Sequence, residues 1–274
     1  MSAPQTQRSR EEGRELKLLP FIYSQPNQES IQNNPQKVLD LIDEFSQTYH
    51  FMTVGPEKGA IVLDLIASGK PETMIELGCY VGYSAILFGD AVRRAGGKRY
   101  YSLELNPEFA AIANQLVDLA GLRGFVHILV GRSDVLLHQL HSSGDVKQVE
   151  LLFIDHYKPA YTTDLKLCEQ LGLIVPNFSV IAADNVIYPG NPPYLEYVRS
   201  SVEAKRAEAA KGPVTSYTLE GFATRTVQAY MGDENVPKFE IVGNPGLVYE
   251  SVLRQPEGHR DAIEVTRCVG LSEV

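Results

Sequence analysis

Apolar positions along this chain fall into two repeating patterns. In KVLDLIDEFSQTYHF, Val38, Leu41, Ile42 and Phe45 recur at helical spacing, which predicts a helix with one face on the main body. GPEKGAIVLDLIASG predicts the next, closed by Gly69 and Pro71. Short oily runs then alternate with helical stretches: MIEL, YYSLEL, VHILVG, LLFID and VIAAD are separated by segments such as SAILFGDAVRRAG, PEFAAIANQLVDLAG and TTDLKLCEQLG. Strands alternating with crossover helices imply an α/β protein, a mostly parallel sheet with helices on both faces. The end of the chain reads differently. FEIVGNPGLVYESVLRQPEGHRDAIEVTRC predicts two longer strands joined by a turn around Pro256 and Gly258, a C-terminal antiparallel hairpin that makes the sheet mixed.

A chain of 274 residues suffices for one large domain, and no linker divides it. The expectation is a disordered tail over 1–20 and a single domain over 21–274. From 199 to 238 no strand pattern is visible, and VEAKRAEAAKG predicts a solvated helix; the stretch is either a surface extension or a lid or oligomer contact. The net charge of −9 argues against nucleic acid as a partner and favours a small neutral or cationic ligand. Cys79, Cys168 and Cys268 are odd in number and widely spaced, which fits free thiols in a reducing compartment better than disulfides or a zinc ribbon. No run approaches a membrane span, and MSAPQTQRSREEGRE lacks an apolar signal core. A cytoplasmic monomer or homodimer with no membrane partner is expected.

Chemistry concentrates where the oily runs end. In TMIELGCYVGYSAI a strand passes Glu76 into a turn bracketed by Gly78 and Gly82, then a helix begins near Ser84. Such a turn lets a ligand approach the backbone and offers it free N–H groups. The spacing E-x-G-x-x-x-G lacks the third glycine of the dinucleotide fingerprint. Glu104 ends the second strand, at the distance where a carboxylate can take ribose hydroxyls, and Ser133 and Asp134 in GRSDV stand where adenine would sit. Each has an ordinary reading as a helix cap, but together on successive strands they favour a nucleoside. With no Lys or Arg in the turn and with Tyr80, Tyr83 and Glu76 nearby, a sulfonium nucleoside, S-adenosylmethionine, suits it better than a phosphorylated one.

Two further runs stop in oxygen donors: ELLFIDHYKPAY in Asp155, SVIAADNVIYPG in Asp184 and Asn185. Taken alone, Asp155 is a helix cap, Asp184-Asn185 a turn pair and Lys158 a surface lysine. Adjacent strand ends on the face where α/β sheets bind ligands raise the possibility of a metal.

The ordered set MTVGPEKG, IELGCYVGYS, LELNPEFAAI, VGRSD, FIDHYKPAY, ADNVIYPG and LEYVRSS resembles the catechol O-methyltransferase family, a metal-dependent branch of the class I S-adenosylmethionine methyltransferases with a Rossmann-like, seven-stranded sheet. The match runs from about Lys37 to Ser201. The resemblance implies that Asp155, Asp184 and Asn185 bind Mg²⁺ and that Lys158 is the general base. It also implies a cofactor pocket of Met52, Val54, Glu76, Gly78, Tyr80, Ser84, Glu104, Leu105, Ser133, Asp155 and His156. Lys158, Asn185, Pro189, Tyr157, His50 and Glu250 are expected at the acceptor, Glu250 holding its second hydroxyl. His50 and Tyr157 stand where family members often have Trp, so the acceptor itself is left open.

Two carboxylates and an amide oxygen are hard ligands of the kind Mg²⁺ prefers, and a vicinal diol can fill two further positions. The expected reaction is methyl transfer from S-adenosylmethionine to a hydroxyl of a catechol-like small molecule. A nicotinamide-dependent oxidoreductase and a non-catalytic nucleoside-binding module are the alternatives.

Overall fold

The computed structural model describes residues 13–231 and 236–272. The five oily runs form β1 (Thr73–Leu77), β2 (Arg99–Glu104), β3 (Val126–Val130), β4 (Leu151–Ile154) and β5 (Val180–Ala183), and the hairpin supplies β6 (Leu247–Arg254) and β7 (Ile263–Leu271). They join one sheet in the order β3-β2-β1-β4-β5-β7-β6. β1 to β5 pair in parallel, and β7 runs antiparallel to both β5 and β6. Every side chain of β1 and β4 is buried, as expected of strands covered on both faces.

Helices fill the two faces and divide the core in two. One half packs the helices Pro35–Ser46, Gly55–Gly69 and Tyr83–Arg94 around Met74, Phe88 and Phe153; the other packs Ser133–Ser142, Tyr161–Gln170 and Pro192–Arg199 around Ile75, Leu152 and Ile181. Because strand order reverses beside β1, the helices after β1 and β4 leave to opposite sides and open a crevice at the C-terminal strand ends. Most of the singled-out strand-end residues converge there.

Three expectations need correction. The 1–20 tail is a helix in part: Arg14–Tyr23 buries Leu18 and Ile22, while residues 1–12 lie outside those described. The hairpin begins at Leu247, since FEIV makes only an isolated bridge, Val214 to Ile241. The helix Val202–Ala209 is not wholly solvated either. Its Lys205 is buried against the Tyr249 ring, 4.3 Å from the centroid, and donates to the Leu247 carbonyl. A long aliphatic stem lets lysine fill such a position while its head finds an acceptor. Among the described residues no helix is long and apolar enough to cross a membrane.

Candidate active site

A cavity of about 630 Å³ opens at the strand ends. Its first half is the turn after β1. Gly78 (φ 88°) and Gly82 (φ 95°) occupy the left-handed region that other residues avoid. A Cβ on Gly78 would stand 2.7 Å from the Asp155 carbonyl oxygen, and one on Gly82 3.0 Å from the Ala113 Cβ, so the turn also depends on their lack of side chain. Glu104 closes the turn from β2. One of its oxygens accepts from the backbone N–H groups of Cys79 (3.2 Å) and Tyr80 (2.8 Å), the other from Asn106 (2.8 Å). Three of the four acceptor directions of the carboxylate are thus used, leaving one for a ligand hydroxyl. Behind the turn Glu76 is fully buried and accepts from Ser102 Oγ at 2.6 Å, and its Oε1 has no partner among the described residues. Burial pushes its carboxyl up to about 7, against the hydrogen bond from Ser102.

The far wall of this half is polar and tightly braced. Buried Asp164 accepts from both Ser133 Oγ and His156, the latter at 2.8 Å, and His156 stacks on Tyr161 with 5.2 Å between centroids. Arg132 grips Asp134 with two nitrogens (3.0 and 2.9 Å) and reaches the Val236 carbonyl at 2.8 Å, which ties the 199–238 stretch to the end of β3.

The second half is the oxygen cluster. Asp155 follows β4 and Asp184 follows β5, and both line the cavity with Asn185. Lys158 Nζ donates to Asp155 Oδ1 at 2.9 Å and to the Tyr161 hydroxyl at 2.6 Å; that hydroxyl donates to the Asp184 carbonyl at 3.2 Å. Lys58 Nζ donates to both Asp184 oxygens (2.6 and 2.8 Å) and to Asp261 Oδ2 (2.7 Å). Burial opposes the charge on Lys58, but the two carboxylates outweigh it and its pKa lies above the ordinary value. Asp184 is also raised, because burial and the neighbouring Asp155 outweigh Lys58.

Asp184 and Asp261 share the Lys58 ammonium, and Asp155 faces Lys158 Nζ, so three carboxylates surround two lysine side chains. Among the described residues no three of His, Cys, Asp or Glu cluster as a metal site; the oxygen donors that line the cavity at the two strand ends are Asp155, Asp184 and the Asn185 amide. That donor set, all oxygen, fits a hard divalent ion.

Residues 75–185 match the family described as "Methyltransferase domain". Catechol O-methyltransferase of Mus musculus is 41% identical over 169 residues, 61% of this chain and 63% of the mouse protein. That of Sus scrofa is 41% identical over 148 residues, 54% of this chain and 78% of the pig protein. The chain belongs to the catechol O-methyltransferase family. It spans a little under two thirds of the length of several of these relatives, 63% for mouse and for Bos taurus. The fold is shared with the O-methyltransferase from Bacillus cereus in complex with SAH, at a TM-score of 0.54 and 19% identity over 85% of this chain and 90% of that one.

Measured against the family pattern, the cavity gathers most of the singled-out residues. Met52, Val54, Gly78, Tyr80, Ser84, Glu104, Leu105, Ser133, Asp155 and His156 line it, as do His50, Tyr157, Lys158, Asp184, Asn185 and Pro189. Two do not. Glu76 lies beneath the floor, shielded by the turn it supports. Glu250 is exposed in the middle of β6, opposite Arg267, and does not line the cavity. The hairpin does bring a carboxylate toward the oxygen cluster, but from the turn before β7: it is Asp261.

Sequence reasoning also missed Lys58, Tyr161, Asp164, Tyr217 and Tyr230. Lys58 carried a signal, for it stands in one buried stripe with Val62 and Ile66, where a lysine has no reason to be without a buried anion. Tyr217 and Tyr230 carried none. They come from the 199–238 stretch and meet Tyr157 edge-on, 5.7 and 4.9 Å between centroids, so that stretch walls the cavity instead of lying outside it.

Proposed function

We propose that this chain is an S-adenosylmethionine-dependent O-methyltransferase that acts on a hydroxyl of a catechol-like small molecule and requires Mg²⁺. The observation carrying the proposal is the position of Lys158, whose Nζ is 2.9 Å from Asp155 and 2.6 Å from the Tyr161 hydroxyl, in the cavity that also holds the glycine turn and the oxygen cluster. The family relationship and the catechol O-methyltransferases named above support the same chemistry.

In this reading the Gly78–Tyr80 turn, Glu104, Ser133 and His156 bind the nucleoside, and Asp155, Asp184 and Asn185 would hold Mg²⁺. When bound, the ion acidifies and orients an acceptor hydroxyl, and S-adenosylmethionine supplies the methyl group. Lys158 takes the hydroxyl proton and becomes an ammonium ion that Asp155 stabilises, while Tyr161, tied to the Asp184 carbonyl, holds Nζ in place. With the cofactor bound over the glycine turn, the acceptor oxygen would take the methyl group as its C–S bond breaks, the electron pair staying on sulfur. Most of the rate comes from alignment, worth up to roughly 7–11 kcal/mol in well-oriented systems. Tyr157, Tyr188, Tyr217 and Tyr230 wall an aromatic acceptor and exclude water.

Residues 199–238 act in this account as part of one domain, an insert that completes the acceptor wall. The purified chain, incubated with S-adenosylmethionine and a panel of diphenols, flavonoids and phenylpropanoid esters of coenzyme A, tests the proposal by mass spectrometry. A monomethylated product that disappears with chelator and returns with Mg²⁺ is expected. No methyl transfer to any member of the panel would contradict it.

A further inference from the structure

Asp261 sits in the turn before β7, nearly buried, and receives four hydrogen bonds. Lys58 Nζ donates at 2.7 Å, Asn185 Nδ2 at 2.8 Å, and the backbone N–H groups of Ile187 and Tyr188 at 3.3 and 2.9 Å. An aspartate contacted by four donors accepts only, so the atom of Asn185 that faces it must be the amide nitrogen. The amide oxygen is then left for the cavity that Asn185 lines and Asp261 does not. Without such a partner the terminal torsion of an asparagine is broad and roughly two-fold, and either end of the amide can face a given site.

We propose that Asp261 is a positioning residue for the metal site. It fixes Asn185 with its oxygen toward Asp155 and Asp184, and it shares Lys58 so that Asp184 does not neutralise that ammonium alone. The inference rests on the metal reading given above. Lys58 has three N–H donors, two on Asp184 and one on Asp261. Removing Asp261 leaves Asp184 as its one carboxylate partner and sets the lysine in direct competition with a divalent ion. The same change frees the 186–190 loop, whose backbone Asp261 pins at two residues.

Partners that orient metal ligands usually contribute 10- to 100-fold in affinity. Mn²⁺ binding, followed on the full chain by loss of the free-ion electron paramagnetic resonance signal, provides the test. Asp261→Ala should weaken Mn²⁺ roughly 10- to 100-fold while S-adenosylhomocysteine affinity, measured by calorimetry without metal, stays within about twofold. Asp261→Asn, which keeps the shape and loses the charge, should fall between that variant and the wild type and serves if Asp261→Ala fails to fold. In the Asp261→Ala background, Lys58→Met should recover part of the lost affinity. Wild-type Mn²⁺ affinity in the folded variants overturns the inference alone. Absence of Mn²⁺ binding in the wild type overturns the metal reading together with it.

Discussion

Gly78→Ala separates two reasons for a glycine in the cofactor turn. Gly78 has φ 88° and Gly96 has φ 91°, so alanine at either position must adopt the left-handed region, at about 1–2 kcal/mol. Their surroundings differ. A Cβ on Gly96 meets nothing within 4 Å, whereas one on Gly78 would stand 2.7 Å from the Asp155 carbonyl oxygen and 2.9 Å from His156 Cα and Cβ. Ordinary contact begins near 3.4 Å, so the backbone at Asp155 must retreat by 3.4 − 2.7 = 0.7 Å. That backbone carries both a candidate metal ligand and, three residues on, the candidate base. Displacement of about 1 Å costs on the order of 100-fold in rate, and 0.7 Å should cost roughly 10- to 100-fold in kcat for catechol methylation. Both variants should lose about 1–2 kcal/mol in urea unfolding, with a larger loss for Gly78→Ala. Initial rates and unfolding curves for the two proteins, side by side, give the comparison. Equal kcat for Gly78→Ala and Gly96→Ala would refute the argument that the turn sets the position of Asp155.

Two other outcomes follow from the site. Lys158→Ala should lower methyl transfer by about 10²–10⁴-fold, the usual contribution of a general base, with S-adenosylhomocysteine binding retained in calorimetry; wild-type turnover would remove Lys158 from the reaction. Glu76 should make stability depend on pH. Its carboxyl rises from an ordinary 4.5 to about 7 on folding, so between those values the folded state binds the extra proton and stability falls as pH rises. At 1.36 kcal/mol per pH unit the full effect is roughly 3 kcal/mol. Glu76→Gln should therefore gain stability relative to the wild type between pH 4.5 and pH 8 in urea titrations, and a constant difference across that window would show that Glu76 is charged in the folded protein.

What the sequence revealed and what it hid divide along a physical line. The five parallel strands were legible because each is a short apolar run closed by a glycine or a polar residue, and their C-terminal ends carry the site in any sheet of this kind. Asp155, Asp184 and Asn185 were legible for that reason, and Lys158 through the resemblance carried by FIDHYKPAY. Asp261 was not, because nothing in GHRDAIEV distinguishes it from a turn aspartate until the hairpin folds back against β5. Glu250 failed for the complementary reason: on β6 neighbouring side chains alternate between faces, so a carboxylate assigned by local similarity can land facing solvent. Lys205 deceived in the same way, a lysine among charges that the fold turns inward onto Tyr249. Lys58 was readable and went unread: the apolar stripe it shares with Val62 and Ile66 already required a buried anion, which Asp184 and Asp261 provide.

The central claim is that the ends of β4 and β5 hold one divalent ion beside the nucleoside turn. Anomalous diffraction from crystals grown with Mn²⁺ and S-adenosylhomocysteine tests it directly. The account predicts a single strong Mn²⁺ peak coordinated by Asp155, Asp184 and the amide oxygen of Asn185, with the nucleoside seated over Gly78–Tyr80. A peak bound elsewhere, or none at these three side chains while the nucleoside is in place, would contradict it.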